Sequence, residues 1–161
     1  LAMAAAVADL RVGTFVLAAP LRPPRSAAWD AHSLAVLTGG RFDFCIGIGL
    51  LQTATQAAQQ LGLPMRSPAE RLAALGEAID HLRDLDGDTR TPVLVAAGGP
   101  RSRALAADKA DIVTLAAGPL TGRAEIADVV NDVRTQAGDR ADDIEFSMNL
   151  FVVGDNVPPW C

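Results

Sequence analysis

With 161 residues, 50% of them hydrophobic and 20% charged, the chain is long enough to bury one substantial core and falls in the size range of a single domain spanning residues 1–161. Its formal net charge of −5 is spread along the chain with no clustered basic stripe, which argues against a nucleic-acid surface. Cys45 and Cys161 lie far apart without metal-ligand spacing, and His32 and His81 are the only histidines, so neither a metal site nor a disulfide framework is expected, and a reducing cytoplasm fits.

The opening, Leu1-Ala-Met-Ala-Ala-Ala-Val-Ala, lacks a basic n-region and is too short to cross a bilayer, so a soluble chain without membrane contact is expected. It reads as the end of an alanine-rich helix, and the chain stops at Pro158-Pro159-Trp160-Cys161 just after an apolar run, so both ends read as cut. Leu10–Leu17 has the length and composition of a strand. In Ser26–Leu37, Ala27, Ala31, Leu34 and Leu37 mark an apolar helical face, and Thr38-Gly39-Gly40 supplies a left-handed stop. Phe42–Ile48 is the next strand. Ser67-Pro68-Ala69-Glu70 starts a further helix, since the serine can cap it, the proline suits its first turn and Glu70 completes a capping box. Leu72, Leu75, Ile79 and Leu82 supply the buried stripe of that helix, and Asp84–Thr91 reads as a polar loop.

Pro92-Val93-Leu94-Val95-Ala96-Ala97-Gly98-Gly99-Pro100 predicts a buried strand that turns tightly into a helix. Gly98 and Gly99 present no Cβ to hold a ligand off the backbone, and Pro100 suits the first helical position because its missing N–H would be unpaired there anyway. Arg101 and Arg103 occupy a first turn that normally favours acids, and their charge opposes the helix dipole unless an anion lies between them. The junction therefore reads as a phosphate cradle, although the same residues also fit a plain turn flanked by surface arginines.

Ile112–Leu115 is another strand. Glu125–Ala137 follows as an amphipathic helix with Ile126, Val129, Val130 and Val133 inward, Gly138–Asp143 is a connection, and Ile144–Val153 is the last strand. Strands apolar on both faces, alternating with helices, place the chain in the α/β class with a parallel sheet. The periodicity fits an open doubly wound sheet or a (β/α)8 barrel equally well.

Three segments, in this order, resemble the luciferase-like monooxygenase superfamily, and within it the coenzyme F420-dependent branch. They are Leu10-Arg-Val-Gly-Thr-Phe-Val-Leu17, Leu37-Thr-Gly-Gly-Arg-Phe-Asp-Phe-Cys-Ile-Gly-Ile-Gly49 and Leu61-Gly-Leu-Pro-Met-Arg-Ser-Pro-Ala-Glu-Arg71. The Gly-Gly-Pro turn, Ala107-Asp-Lys-Ala-Asp-Ile-Val-Thr-Leu115 and Ala137-Gly-Asp-Arg140 extend the likeness over nearly the whole chain. The resemblance implies a partial TIM (β/α)8 barrel lacking the first strands and the last. It also implies a short Asp84–Thr91 where relatives usually carry a longer insertion.

The resemblance places a non-prolyl cis peptide at Phe15–Val16, beneath a deazaflavin or flavin ring. It sets Gly47 and Gly49 close to the ring or its side chain and Thr53 near the phosphate, with Ala97, Gly98, Gly99 and Arg101 as the main phosphate contacts. Read without it, Phe15 and Val16 suit a core, Gly47 a simple turn and Thr53 a solvated loop. Leu50 and Pro119 stand where the family's sugar-phosphate dehydrogenases carry a glutamate and a lysine, which argues against that activity. No acid, base or nucleophile is assigned: His32 and His81 read as structural or surface residues, and Asp30, Asp43 and Asp111 as isolated charges.

The implied function is hydride transfer between reduced coenzyme F420 and a small organic substrate, F420 being favoured because the segments look most like the actinobacterial members, and a homodimer is expected because family members usually pair. Two alternatives stand beside it. One is an FMN-dependent monooxygenase served by a separate flavin reductase; the other is a catalytically silent barrel fragment that binds cofactor or drives oligomerisation.

Overall fold

The computed structural model describes residues 10–49 and 51–150, with Leu51 described by its backbone alone. The opening alanine-rich segment, Leu50, Cys161 and the far end of the last expected strand lie outside the described residues. Packing resolves the chain into two compact units, Leu1–Val95 and Ala96–Cys161, which are treated in turn.

In the first unit, β1 (Val12–Gly13) and β2 (Leu17–Ala18) both pair in parallel with β3 (Phe42–Gly47), Val12 opposite Phe42 and Leu17 opposite Ile46. The strand expected over Leu10–Leu17 is thus broken in two. At the break the Phe15–Val16 peptide is cis, the bond the resemblance singles out. The Thr14 hydroxyl donates to the Cys45 carbonyl at 2.6 Å and accepts the Cys45 N–H at 3.2 Å, so a side chain takes over where regular pairing lapses.

Helix α1 (Pro24–Leu37) begins two residues before the expected start because Pro24 sits at its first position, behind Pro23. Its buried face is made of Ala27, Ala28, Ala31 and Ala35, whereas Leu37 is 72% exposed. Small residues let α1 lie close against α3 (Pro68–Asp86), and Leu37, about 200° round the helix from Ala35, falls on the outward side. Between them in sequence lies α2 (Leu51–Gln60), a helix not expected from the sequence although its polar and apolar residues are strongly segregated; its buried positions are Ala54 and Ala58.

The capping box of α3 forms as read. Ser67 Oγ accepts the Glu70 N–H at 3.3 Å, and a Glu70 carboxylate oxygen accepts the Ser67 N–H at 2.7 Å. Leu75, Ile79 and Leu82 are buried, as are Phe42, Phe44 and Ile46 of β3 and Val93 of β4 (Val93–Ala97), and together they make the core of this unit. α3 runs on to Asp86, three residues into the expected loop, and the reason is that Asp86 is not a solvated turn residue. Its buried carboxylate accepts the Thr91 N–H at 2.8 Å and the Thr91 hydroxyl at 3.2 Å, and His32 Nδ1 lies 2.9 Å from it.

In the second unit, α4 (Pro100–Lys109) leads to β5 (Ile112–Leu115), α5 (Arg123–Ala137), a 3-10 segment (Gly138–Asp143) and β6 (Glu145–Met148), which pairs in parallel with β5. Arg140 closes the end of α4, donating to the carbonyls of Ala107 and Ala110 at 2.7 and 2.8 Å, two of the acceptors a helix C-terminus leaves open. Of the four α5 residues expected inward, Val133 is fully buried while Ile126, Val129 and Val130 are half-buried. Ile126 and Val129 face a cavity rather than packed side chains.

Candidate functional site

Five of the residues that the sequence puts forward belong to the first unit. Phe15 is 60% exposed, so it is no core residue, and Val16 is half-buried. Gly47 closes β3, buried and in register with Ala18 of β2. Gly49 has a positive φ of 72°, and a Cβ there would lie 3.1 Å from the Ala54 Cβ and 3.5 Å from the Ala18 Cβ. Backbone conformation and the approach of α2 thus require glycine at that position, before any ligand is considered. Thr53 lies in the first turn of α2, not in a loop, with its side chain exposed.

Cys45 lies one strand position from Ile46, and burial, with a further push from Asp43, raises its thiol from 9.0 to about 11. That thiol is neutral and no nucleophile at physiological pH. Asp43 is engaged by Arg11, and Asp30 pairs with Arg22 at 2.8 Å, so neither carboxylate is poised for acid–base work. His32 is tied to Asp86, and His81 lines a surface groove with Arg25 and Trp29. A cavity of about 320 Å³ lined by residues of α1, β2 and β3, among them Leu17, Ala31, Leu34, Phe42 and Phe44, together with the Arg22–Asp30 pair, contains none of the candidate cofactor-binding residues.

The second unit holds the Gly-Gly-Pro junction. Gly99 is the N-cap of α4 and Pro100 its first residue, as the sequence predicts. A Cβ on Gly99 would meet nothing within 4 Å, while one on Gly98 would come 3.3 Å from the Ala116 Cβ. The two glycines therefore do different things: Gly98 admits the chain that follows β5, and Gly99 leaves the helix end open. Ala97 and Gly98 line a cavity of about 190 Å³ together with Ala116, Gly118, Thr121 and Arg103.

Two features of this junction escape sequence reasoning. Ser102 is buried, and its hydroxyl accepts the Gly99 N–H at 3.1 Å and donates to the Gly99 carbonyl at 2.9 Å, so one amide of the cradle is already occupied. The signal was present, since a serine three residues after the N-cap can play the part of Glu in a capping box. Arg103 is also committed: its Nε donates to Asp132 at 2.5 Å and its Nη1 to the Gly98 carbonyl at 3.0 Å. The charge of Arg103 is thus answered inside the protein, whereas the Arg101 side chain is exposed and has no partner among the described residues. By helix geometry the N–H groups of Arg101 and Ser102 have no acceptor within α4.

The family described as luciferase-like monooxygenase matches residues 1–157. No curated protein matches the chain. Among solved structures, a riboflavin lyase with modified FMN and riboflavin is similar at a TM-score of 0.74 and 18% identity, covering 91% of this chain and 42% of that one. An F420-dependent secondary alcohol dehydrogenase with an F420-acetone adduct gives 0.69 and 20%, covering 91% and 51%. The coenzyme F420 dependent tetrahydromethanopterin reductase of Methanopyrus kandleri gives 0.68 and 18%, covering 90% and 51%. The chain thus spans about half the length of these proteins, and likeness at such identities establishes fold: a portion of a luciferase-like TIM barrel.

Proposed function

This chain belongs to the luciferase-like monooxygenase family, and on that premise we propose that it is an oxidoreductase working with coenzyme F420, passing a hydride between the reduced deazaflavin and a small organic substrate. The family's members are oxidoreductases and monooxygenases, which supports an enzyme role, and two of the similar structures are named for F420. The observation that carries the reading is the end of β4: a glycine N-cap with no Cβ, two helical amides without an acceptor in α4, and an exposed Arg101 with no partner among the described residues, close in sequence to Gly98, which lines a cavity of about 190 Å³. That donor set fits a phosphate, which takes hydrogen bonds from helix N-termini and charge from arginine.

In this reading Gly99, Arg101 and the Ser102 amide hold the phosphate, with Ala97 and Gly98 forming the wall. Phe15, Val16, Gly47, Gly49 and Thr53 of the first unit keep the cofactor roles that the family resemblance implies for them. When bound, the coenzyme supplies the redox chemistry itself, so this chain's residues need only bind, orient and exclude water. An FMN-dependent reading is kept because the similar riboflavin lyase holds a modified FMN.

Absorbance of the purified chain and titration with F420 and with FMN test the proposal, since the two coenzymes differ in their visible spectra. Gly99→Asp sets a carboxylate in the open cradle and is expected to weaken binding at least about tenfold, roughly one charged hydrogen bond. Gly98→Asp is the less clean variant, because its Cβ also crowds Ala116. Unchanged affinity in Gly99→Asp removes the phosphate assignment, and absence of binding by either coenzyme leaves the silent module.

A further inference from the structure

Arg71 does something its own helix does not explain. It is the fourth residue of α3, where a cation opposes the helix dipole, and it is only 6% exposed. Its Nη1 donates to the carbonyls of Ile48 and Gly49, each at 3.3 Å. Among the described residues its buried Nε finds no acceptor and no carboxylate pairs with it. A buried cation held by two long contacts to carbonyl dipoles, with one donor left over, is a poor way to stabilise a fold; an apolar side chain of similar volume would serve as well or better.

What the guanidinium does achieve is local. In an extended strand successive carbonyls point in opposite directions, so two consecutive ones can meet a single donor only if the backbone leaves the β region between them. The positive φ of Gly49 provides that departure. Because the peptide is planar and trans, drawing the Ile48 carbonyl towards Arg71 turns the Gly49 N–H to the opposite side. The capping box at Ser67 and Glu70 fixes the first turn of α3, and so sets where Arg71 enters.

We propose that Arg71 is a positioning residue: it clamps the carbonyls of Ile48 and Gly49 and thereby holds the exit of β3 in the arrangement against which the coenzyme binds. This rests on the cofactor reading above. Lysine keeps the charge but offers a single ammonium in place of a planar fork, so Arg71→Lys is expected to loosen the clamp with little loss of fold.

Two measurements decide it. In the cofactor-free protein, hydrogen exchange of the peptide carrying residues 46–49 should speed up about tenfold in Arg71→Lys, the loss of one charged hydrogen bond, while peptides from α3 and β4 stay unchanged. Equal exchange there overturns the clamp. In titrations, F420 or FMN affinity should fall about tenfold in Arg71→Lys and further in Arg71→Ala, and added methylguanidinium should restore part of the Arg71→Ala loss. A wild-type chain that binds neither coenzyme sinks the proposed function and the cofactor part of this role together. Wild-type binding that both variants match sinks this inference alone.

Discussion

Gly49, Cys45 and Gly99 show how differently single residues carry information. At Gly49, a φ of 72° and an approach to Ala54 combine, so Gly49→Ala should cost roughly 2 kcal/mol of stability, read as a lower denaturation midpoint. If stability is unchanged, the conformational account of that glycine is wrong. For Cys45, burial favours the protonated thiol in the folded state. Its contribution to stability is therefore complete below pH 9.0 and lost as pH rises towards about 11. Alkylation followed peptide by peptide should find Cys45 protected in the native protein at pH 8 and reactive once it unfolds; fast native labelling would contradict the burial. The candidate residues were legible as types, but their reasons were not. Gly98 answers to Ala116 and Gly49 to Ala54, neighbours that only a folded backbone brings near.

Among the elements, α3 is the one whose start could be read and whose end could not. The serine, proline and glutamate of its first turn act through neighbours in sequence, so the capping box is local information. Ser67→Ala should cost about 1 kcal/mol in thermal or denaturant unfolding. The hydrogen bonds from Ser67 also hold the Glu70 carboxyl below its usual range, so their stabilising effect is present above that range and fades as pH falls through the lowered value. The wild type should accordingly lose its advantage over Ser67→Ala in acid. At the other end, Asp86 looked like loop material because acids crowd polar turns, yet it is buried and serves Thr91 and His32. Asp86→Ala should cost about 1–3 kcal/mol by leaving the buried Thr91 N–H unpaired; a neutral effect in unfolding experiments would contradict that accounting. α2 was not expected even though its polar and apolar residues segregate strongly to opposite faces, because the buried face is built of alanines instead of large hydrophobes.

For the molecule as a whole, a homodimer is the proposed state, and light scattering of the purified chain should return twice the mass of one chain; a single-chain mass would refute it. Alternating apolar runs and helical stretches determined by themselves that this is an α/β protein with parallel strands, because that pattern is set by which faces are buried on both sides. The glycine–proline helix start was equally a sequence property, since backbone chemistry and capping act over three or four residues. Tertiary structure alone decided that Arg103 is spent on Asp132 while Arg101 stays available, and that Arg71 reaches back to Ile48 and Gly49. Those pairings join residues on different elements or depend on which way a helix faces, and no local rule of the chain specifies which donor finds which acceptor.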